Sequence, residues 1–173
     1  MFNRELNWVM GLLFLIFGMV MASPLYAVSV TVQNAEGYPG DTNVPVVIDI
    51  DDTTGLGIIA IDLTLTYDSS IGITATNAQM GEIIPDGWSI TPNITNGQVT
   101  VALYGTTPLS DSGSIVRILF DIDSTASPGD SSPLTLTKCD LNEGNVPSEV
   151  TNGTFEILGT TYSISGTVTL QGG

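Results

Sequence analysis

The segment from Ile58 to Tyr67 alternates between two kinds of residue with a period of two. One set of positions holds Ile61, Leu63, Leu65 and Tyr67, and the other holds Ala60, Asp62, Thr64 and Thr66. Because successive side chains of a β-strand point to opposite faces of a sheet, this pattern predicts a strand with one buried and one solvated face. A strand of this kind requires a sheet whose inner face packs against a hydrophobic core.

Short runs rich in Val, Ile and Thr recur along the chain, separated by Gly, Pro, Asn and Asp, and no amphipathic helical pattern follows the N-terminal segment. This composition is typical of an all-β sandwich. Asn96-Gly97 is a strong signal for a two-residue hairpin turn. We predict nine strands, over Val28–Gln33, Val44–Ile50, Ile58–Tyr67, Ile71–Asn77, Ser89–Ile94, Gln98–Tyr104, Ile115–Asp123, Leu134–Cys139 and Gly153–Leu158.

Alternation also assigns faces within two of the later strands. In Gln98–Tyr104 it places Val99, Val101 and Leu103 inward, which leaves Thr100, Ala102 and Tyr104 outward. In Ile115–Asp123 it places Val116, Ile118, Phe120 and Ile122 inward, which leaves Ile115, Arg117 and Leu119 toward solvent. Apolar side chains on faces assigned to solvent indicate an interface with a partner.

The N-terminal segment is apolar from Trp8 to Ala22 and is followed by Pro24 and the small residue Ala27. This pattern predicts a secretory signal peptide over residues 1–27, since a membrane-spanning helix needs about 20 apolar residues. We therefore expect an exported protein with one domain over residues 28–158. Residues 159–173 are expected to be a linker or the start of a following β domain, because they contain the strand-like stretch Tyr162–Leu170.

The chain is strongly acidic, with 18 Asp and Glu residues against 3 Lys and Arg and a formal charge of −15. Such a surface repels nucleic acid, whose phosphates require Lys and Arg for neutralisation. Cys139 is the single cysteine, so no intramolecular disulfide is possible and the core must stabilise the fold. We expect Cys139 to be buried as a small apolar residue.

Catalytic and metal-binding patterns are weak. The chain contains no histidine, which removes the usual base of a nucleophilic triad. Acidic pairs such as Glu82 with Asp86, or Asp140 with Glu143, do not differ from ordinary surface acids. The acidic turn over residues 49–55 does not fit a calcium-binding loop, because its sixth position is Thr54 rather than Gly and its twelfth is Ala60 rather than Glu. We predict that the chain is not an enzyme and holds no metal or cofactor.

Four patterns, in this order, resemble the cohesin domain of cellulosome scaffoldins and their non-cellulosomal relatives. Their order along the chain is more specific than any one of them. They are Gly37-Tyr38-Pro39-Gly40-Asp41 before Val44-Pro45-Val46, the strand Gly57–Asp68 ending in Tyr67-Asp68, the hairpin Asn96–Ala102 followed by the Gly-led strand Gly113–Phe120, and Pro133–Leu136 leading through Asp140-Leu141-Asn142 to Asn152–Phe155.

The resemblance implies a nine-stranded jelly-roll sandwich related to carbohydrate-binding modules. It also implies a non-catalytic role in which the domain holds a dockerin-bearing protein, often a polysaccharide-degrading enzyme, while the dockerin carries its own calcium. In the family the dockerin packs across outward residues of the third, fifth, sixth and eighth strands. We assign these positions to Ala60, Asp62, Thr64, Thr100, Ala102, Tyr104, Ile115, Arg117 and Leu119.

Within this assignment, Asp62 corresponds to a family aspartate that accepts hydrogen bonds from hydroxyl groups of the dockerin. Ala60 stands where many cohesins have Asn, and Gly105 stands near a position that is acidic in some. These two differences leave the choice of dockerin open.

A carbohydrate-binding module is the alternative interpretation. Such modules share the sandwich fold and bind sugars on exposed aromatic rings, for which Trp88, Tyr104 and Tyr38 are the candidates. Trp88 follows Gly87 in a loop, and we expect it to pack inside the domain instead. Direct polysaccharide binding therefore depends on which of these rings reach the surface.

Overall fold

The computed structural model describes residues 27–159. The predicted signal peptide, apart from Ala27, and the expected strand over residues 162–170 lie outside the described residues. Within residues 27–159, the structure has no helix of the length and apolar character needed to cross a membrane.

The described chain forms eleven β-strands and one short 3₁₀ turn, Ser69–Ile71. The strands are β1 (Val28–Val32), β2 (Ala35–Gly37), β3 (Val44–Ile50), β4 (Ala60–Thr66), β5 (Ile73–Met80), β6 (Ser89–Thr95), β7 (Gln98–Tyr104), β8 (Gly113–Ile122), β9 (Ser131–Leu141), β10 (Ser148–Thr151) and β11 (Gly153–Ile157). The predicted all-β sandwich is confirmed. The short strands β2 and β10 are additional to the nine predicted strands.

The strands form two sheets that pack face to face. One sheet has five strands in the order β10-β1-β3-β8-β5, and the other has six in the order β2-β11-β9-β4-β7-β6. Most neighbours are antiparallel, whereas β1 pairs with β10, and β2 with β11, in parallel. The β6–β7 hairpin turns at Asn96-Gly97, with Gly97 at φ 80°, as the sequence predicts.

Aromatic side chains join the two sheets in the middle of the core. Phe120 of β8 lies edge-on to Tyr67, with ring centroids 5.0 Å apart, and contacts Phe155 of β11 at 5.6 Å. The Tyr67 hydroxyl accepts a hydrogen bond of 3.1 Å from the backbone N–H of Ala75 in β5. Because Tyr67 directly follows β4, this bond ties the end of the six-stranded sheet to the five-stranded sheet.

Three strands contain a bulge that interrupts their alternation. Opposite β3, the pairing of β8 steps from Val116 to Ser114 and leaves Ile115 as the extra residue. Opposite β4, the pairing of β9 steps from Lys138 to Leu136 and leaves Thr137 as the extra residue. The third bulge lies at Thr76 of β5. A bulged residue shifts the following side chains to the other face, so a strict period of two does not hold across it.

The bulge in β8 corrects the prediction that Ile115 faces solvent. Ile115 and Val116 both point inward, and Ile115 is 0% exposed. Ile115 is therefore a core residue, and it cannot contact a partner.

We predict that Tyr67→Phe lowers the free energy of unfolding by about 1–3 kcal/mol, because it leaves the buried N–H of Ala75 without an acceptor. Tyr104→Phe is the matched control, since Tyr104 is 55% exposed and the change should stay within about 0.5 kcal/mol. Urea denaturation of both variants measures the difference. Equal stability of the two variants would contradict the proposed role of the Tyr67 hydroxyl.

Candidate protein-binding face

The outer face of strands β9, β4, β7 and β6 is a continuous surface of mostly short side chains. We call it the candidate face. Its strands lie next to one another in the six-stranded sheet, and their outward residues form cross-strand rows. One row is Asp140, Asp62, Ala102 and Thr91, and the next is Lys138, Thr64, Thr100 and Asn93.

Six predicted site residues lie together on this face. Ala60 pairs with Tyr104, Asp62 with Ala102, and Thr64 with Thr100 along the β4–β7 ladder. The Thr64 and Thr100 hydroxyls lie 3.4 Å apart. The inward residues between them, Ile61, Leu63, Val99, Val101 and Leu103, are buried in the core. The alternation of both strands therefore places these six side chains as the sequence predicts.

The other three predicted residues do not belong to the candidate face. Ile115, Arg117 and Leu119 are all on β8, which lies in the five-stranded sheet between β3 and β5. Arg117 and Leu119 point outward from that opposite sheet, where Arg117 forms an ion pair with Glu82. The expectation that all nine residues share one face is wrong, since the strand that pairs with β4 on this side is β9.

Counting strands from the sequence would have shown the error. The run Ile115–Asp123 is the seventh predicted strand, whereas Leu134–Cys139 is the eighth, and the eighth strand is the one that the resemblance names. The face therefore gains Lys138 and Asp140 from β9, and Thr91 and Asn93 from β6. Strict alternation with the inward Leu134 and Leu136 would have buried Lys138, but the bulge at Thr137 turns it to the outside.

Lys138 lies between two carboxylates on the candidate face. Its Nζ is 3.4 Å from Oδ2 of Asp140 and 3.6 Å from Oδ2 of Asp62. The hydrogen bond with Asp140 is the largest cause that raises the pKa of Lys138 above its ordinary value; desolvation opposes it, and attraction to Asp62 adds to it. The three charged groups are half-exposed, so solvent screens their attraction.

The side chain of Asn142 fixes the end of the candidate face at the start of β4. Its Oδ1 accepts hydrogen bonds from the backbone N–H groups of Ile59 at 2.9 Å and Ala60 at 3.2 Å, and its Nδ2 donates to the Gly57 carbonyl at 2.9 Å. Asn142 has φ 49°, a left-handed conformation that Asn adopts more readily than most residues. In the sequence, Asn142 belongs to the Asp140-Leu141-Asn142 motif, but no local pattern predicts its role.

The family described as the cohesin domain matches residues 28–157, which is most of the chain. The chain belongs to the cohesin family. The resemblance predicted from the sequence is therefore confirmed, together with the jelly-roll fold class that it implies. A search among curated proteins finds no match.

Solved structures show the same fold as this cohesin at low sequence identity. The seventh ScaB type I cohesin from Pseudobacteroides cellulosolvens is 20% identical, with a TM-score of 0.69, and the alignment covers 83% of this chain and 99% of that chain. The sixth cohesin of Acetivibrio cellulolyticus scaffoldin B, solved in complex with a mutant Cel5 dockerin, is 22% identical, with a TM-score of 0.66 and coverages of 76% and 99%. A non-cellulosomal cohesin from the archaeon Archaeoglobus fulgidus is 20% identical, with a TM-score of 0.63 and coverages of 78% and 93%.

In this cohesin, Trp88 is a core residue, as expected. It is 6% exposed, and its indole N–H donates a hydrogen bond of 2.8 Å to the Thr107 carbonyl. The ring packs so closely on Gly105 that a Cβ at position 105 would lie 2.3 Å from it. An acidic side chain at position 105, which some cohesins have nearby, therefore has no room in this arrangement.

The remaining aromatic candidates do not form a platform for sugars. Tyr104 is 55% exposed on β7 and Tyr38 is 43% exposed just after β2. Four strand spacings separate β2 from β7, which is about 19 Å at the usual spacing of strands. Adjacent sugar rings stack on aromatic rings that lie close together, and these two do not. Near Tyr104, the backbone N–H of Gly105 donates a hydrogen bond of 2.9 Å to the carbonyl of Ile59, whose side chain is also exposed.

The acidic turn after β3 is organised by hydrogen bonds within the protein. Asp52 accepts a 2.9 Å bond from the Thr54 N–H, and its bonds with Thr54 lower the pKa of Asp52 below its ordinary value. Asp49 accepts a bond from Gln33. Over residues 27–159, no cluster of three or more His, Cys, Asp or Glu side chains could hold a metal ion.

Cys139 is partly buried against the core, and this burial raises the pKa of its thiol.

We predict that Asp140→Asn lowers the pKa of Lys138 more than Asp62→Asn does, because the hydrogen bond with Asp140 is the largest cause of the raised value. Since the folded-state pKa is above that of the unfolded chain, the ion pairs stabilise the fold at neutral pH and stop doing so as the pH rises through the raised pKa. Titration of the Lys138 side chain by NMR measures its pKa in each variant, and urea denaturation as a function of pH measures the stabilisation. Asp49→Asn on the other sheet is the control, and an equal shift in all three variants would contradict the assignment.

Proposed function

We propose that this cohesin domain is a non-catalytic module that binds a dockerin-type partner through the candidate face. The observation that carries the proposal is the strand order β9-β4-β7-β6, which brings the eighth, third, sixth and fifth predicted strands into one face. These are the strands that dockerins cover in the family. The Acetivibrio cellulolyticus cohesin of the same fold was solved with a dockerin bound.

The shape of the candidate face supports a helical partner. Four adjacent strands span about 14 Å across, and the seven residues of β4 extend about 20 Å along the sheet. An α-helix is about 10–12 Å in diameter with its side chains, so one helix fits along this surface. Ala60, Ala102, Thr64 and Thr100 are short, and this allows a helix to approach the backbone of the sheet.

Two parts of the candidate face, the end of β7 and the side formed by β9, differ in chemistry. Tyr104 offers a large exposed ring at one end, and aromatic side chains of this kind dominate many protein interfaces. Asp62, Asp140 and Lys138 offer hydrogen-bond acceptors and one cation near the β9 side. The face combines one apolar anchor with a polar group that can fix the register of a helix.

One carboxylate of each acidic pair considered as a catalytic group is engaged in an ion pair instead. Glu82 pairs with Arg117, and Asp140 pairs with Lys138. Glycoside hydrolysis requires two carboxylates that face each other across the substrate, with one held protonated. This arrangement favours binding over hydrolysis, and we infer that any link to polysaccharide breakdown comes from the enzyme attached to the dockerin.

Ala102→Arg should abolish dockerin binding, because it places a long charged side chain at the centre of the candidate face. Leu119→Arg is the matched control, since it adds the same charge on the outer face of the opposite sheet. Calorimetry against a panel of calcium-loaded dockerins is expected to show at least a hundredfold loss for Ala102→Arg. The expected change for Leu119→Arg is less than about threefold.

Two results would overturn the proposal. In the first, no dockerin of the panel binds the wild-type domain with micromolar affinity. In the second, Leu119→Arg abolishes binding while Ala102→Arg leaves it intact, which would assign the partner to the five-stranded sheet.

We also propose that the domain is exported and works outside the cytoplasm. The support is the charged start and apolar run of residues 1–27, together with the high net negative charge that keeps secreted modules soluble. Expression of the full chain in its source cell, followed by mass determination of the product, tests this. We expect secreted protein that begins near Val28, and a full-length product retained in the cytoplasm would contradict it.

A further inference from the structure

Lys138 is the single cation of the candidate face. Residues 27–159 contain two basic side chains, Arg117 and Lys138, and the third base of the chain is Arg4. Arg117 lies on the outer face of the five-stranded sheet, paired with Glu82. The two cations therefore stand on opposite sides of the sandwich, and each can be removed without disturbing the other's surroundings.

The position of Lys138 reduces the repulsion between two neighbouring carboxylates. Asp62 and Asp140 are directly opposite each other on β4 and β9, and both point outward. Like charges at directly opposed positions of a ladder destabilise it. The bulge at Thr137 brings Lys138 to the same face, where its ammonium group contacts both carboxylates. The group as a whole then carries one negative charge rather than two.

This group leaves room for neutral donors and little for a second cation. Lys138 contacts Oδ2 of Asp62 and Oδ2 of Asp140. The Oδ1 atoms of the two carboxylates make no hydrogen bond with any of residues 27–159, so they can accept bonds from hydroxyl or amide groups. For a guanidinium or ammonium group of a partner at the same place, repulsion by the Lys138 ammonium offsets much of the attraction of the two carboxylates.

We propose that Lys138 determines the charge selectivity of the candidate face. With Lys138 present, the face favours a partner helix that presents Ser, Thr, Asn or Gln to Asp62 and Asp140 over one that presents Lys or Arg there. This inference rests on the proposed function. The inferred preference for neutral donors is opposite to the effect of the whole domain's electrostatic field, because the formal charge of −15 attracts basic partners at long range. Lys138 therefore acts on the contact itself rather than on the approach of the partner.

The test compares Lys138→Gln with Arg117→Gln. Both variants lose one positive charge, so they change the long-range field of the domain equally, and Lys138→Gln alone changes the candidate face. A displayed library on a dockerin scaffold, with the helix surface positions randomised, is selected against the wild type and both variants. The readout is the fraction of selected clones with Lys or Arg at the randomised positions. Thermal unfolding verifies that each variant is folded.

We expect the wild type and Arg117→Gln to select neutral donors, and Lys138→Gln to raise the fraction of basic clones about tenfold. Calorimetry then measures one selected clone with Ser and its counterpart with Arg at the contact position. The wild type should favour the Ser clone by about tenfold, and Lys138→Gln should reverse the order. Lys138→Met, which keeps much of the aliphatic stem, should behave as Lys138→Gln does and separates the loss of charge from the loss of packing.

The possible failures are distinguishable. If clones lose binding to Ala102→Arg but show the same charge preference for the wild type and Lys138→Gln, the inference about Lys138 is wrong and the proposed function stands. If Arg117→Gln shifts the preference as much as Lys138→Gln does, long-range charge explains the selectivity and the inference is wrong. If no clone is selected, or if clones bind Ala102→Arg as well as the wild type, the proposed function fails and the inference falls with it.

Discussion

The inward row of β4 is the constraint on which the rest of the domain depends. Ile61, Leu63 and Leu65 are each 1% exposed, and full burial of such a side chain contributes roughly 1.5–3 kcal/mol. A slip of one residue in the pairing would turn these three to solvent and bury Asp62 and Thr64. No such register can be stable, because a carboxylate without a partner is costly in the core. The outward row of the candidate face is therefore fixed by the hydrophobic row behind it.

The bulges decide which other side chains join that row. In β9, the extra residue Thr137 lets Leu136 remain in the core while Lys138 reaches the outer face beside Asp62. In β8, the extra residue has the opposite effect, since Ile115 is drawn into the core. Both bulges occur on strands whose neighbours hold the ladder on either side, so the irregularity costs little pairing. In this cohesin, one such displacement supplies the single cation of the surface that we propose for binding.

Asn142 and Trp88 fix the candidate face where β4 begins and β7 ends, although neither is one of the outward residues of the face. Asn142 bonds the backbone at Gly57, Ile59 and Ala60, and so sets where β4 begins. Gly105 gives the indole of Trp88 a place to pack under the end of β7. Together these contacts leave Tyr104 as the exposed ring at that end. The surface available to a partner thus depends on these supporting contacts of Asn142 and Trp88 as much as on its own residues.

The amino-acid sequence by itself determined nine of the eleven strands, the hairpin at Asn96-Gly97 and the inward and outward sets of β4 and β7, because each depends on neighbours within a few residues. It also carried the family resemblance. The strand count and the family resemblance together point to β9 beside β4, but the tertiary structure decided the pairing and its register, since these are set between distant strands by the packing of the whole sandwich and not by local pattern. It also decided the bulges at Ile115 and Thr137, which relieve mismatches between paired strands that no single strand reveals. For these two reasons, the candidate face includes Lys138 and Asp140 and does not include Ile115, Arg117 or Leu119.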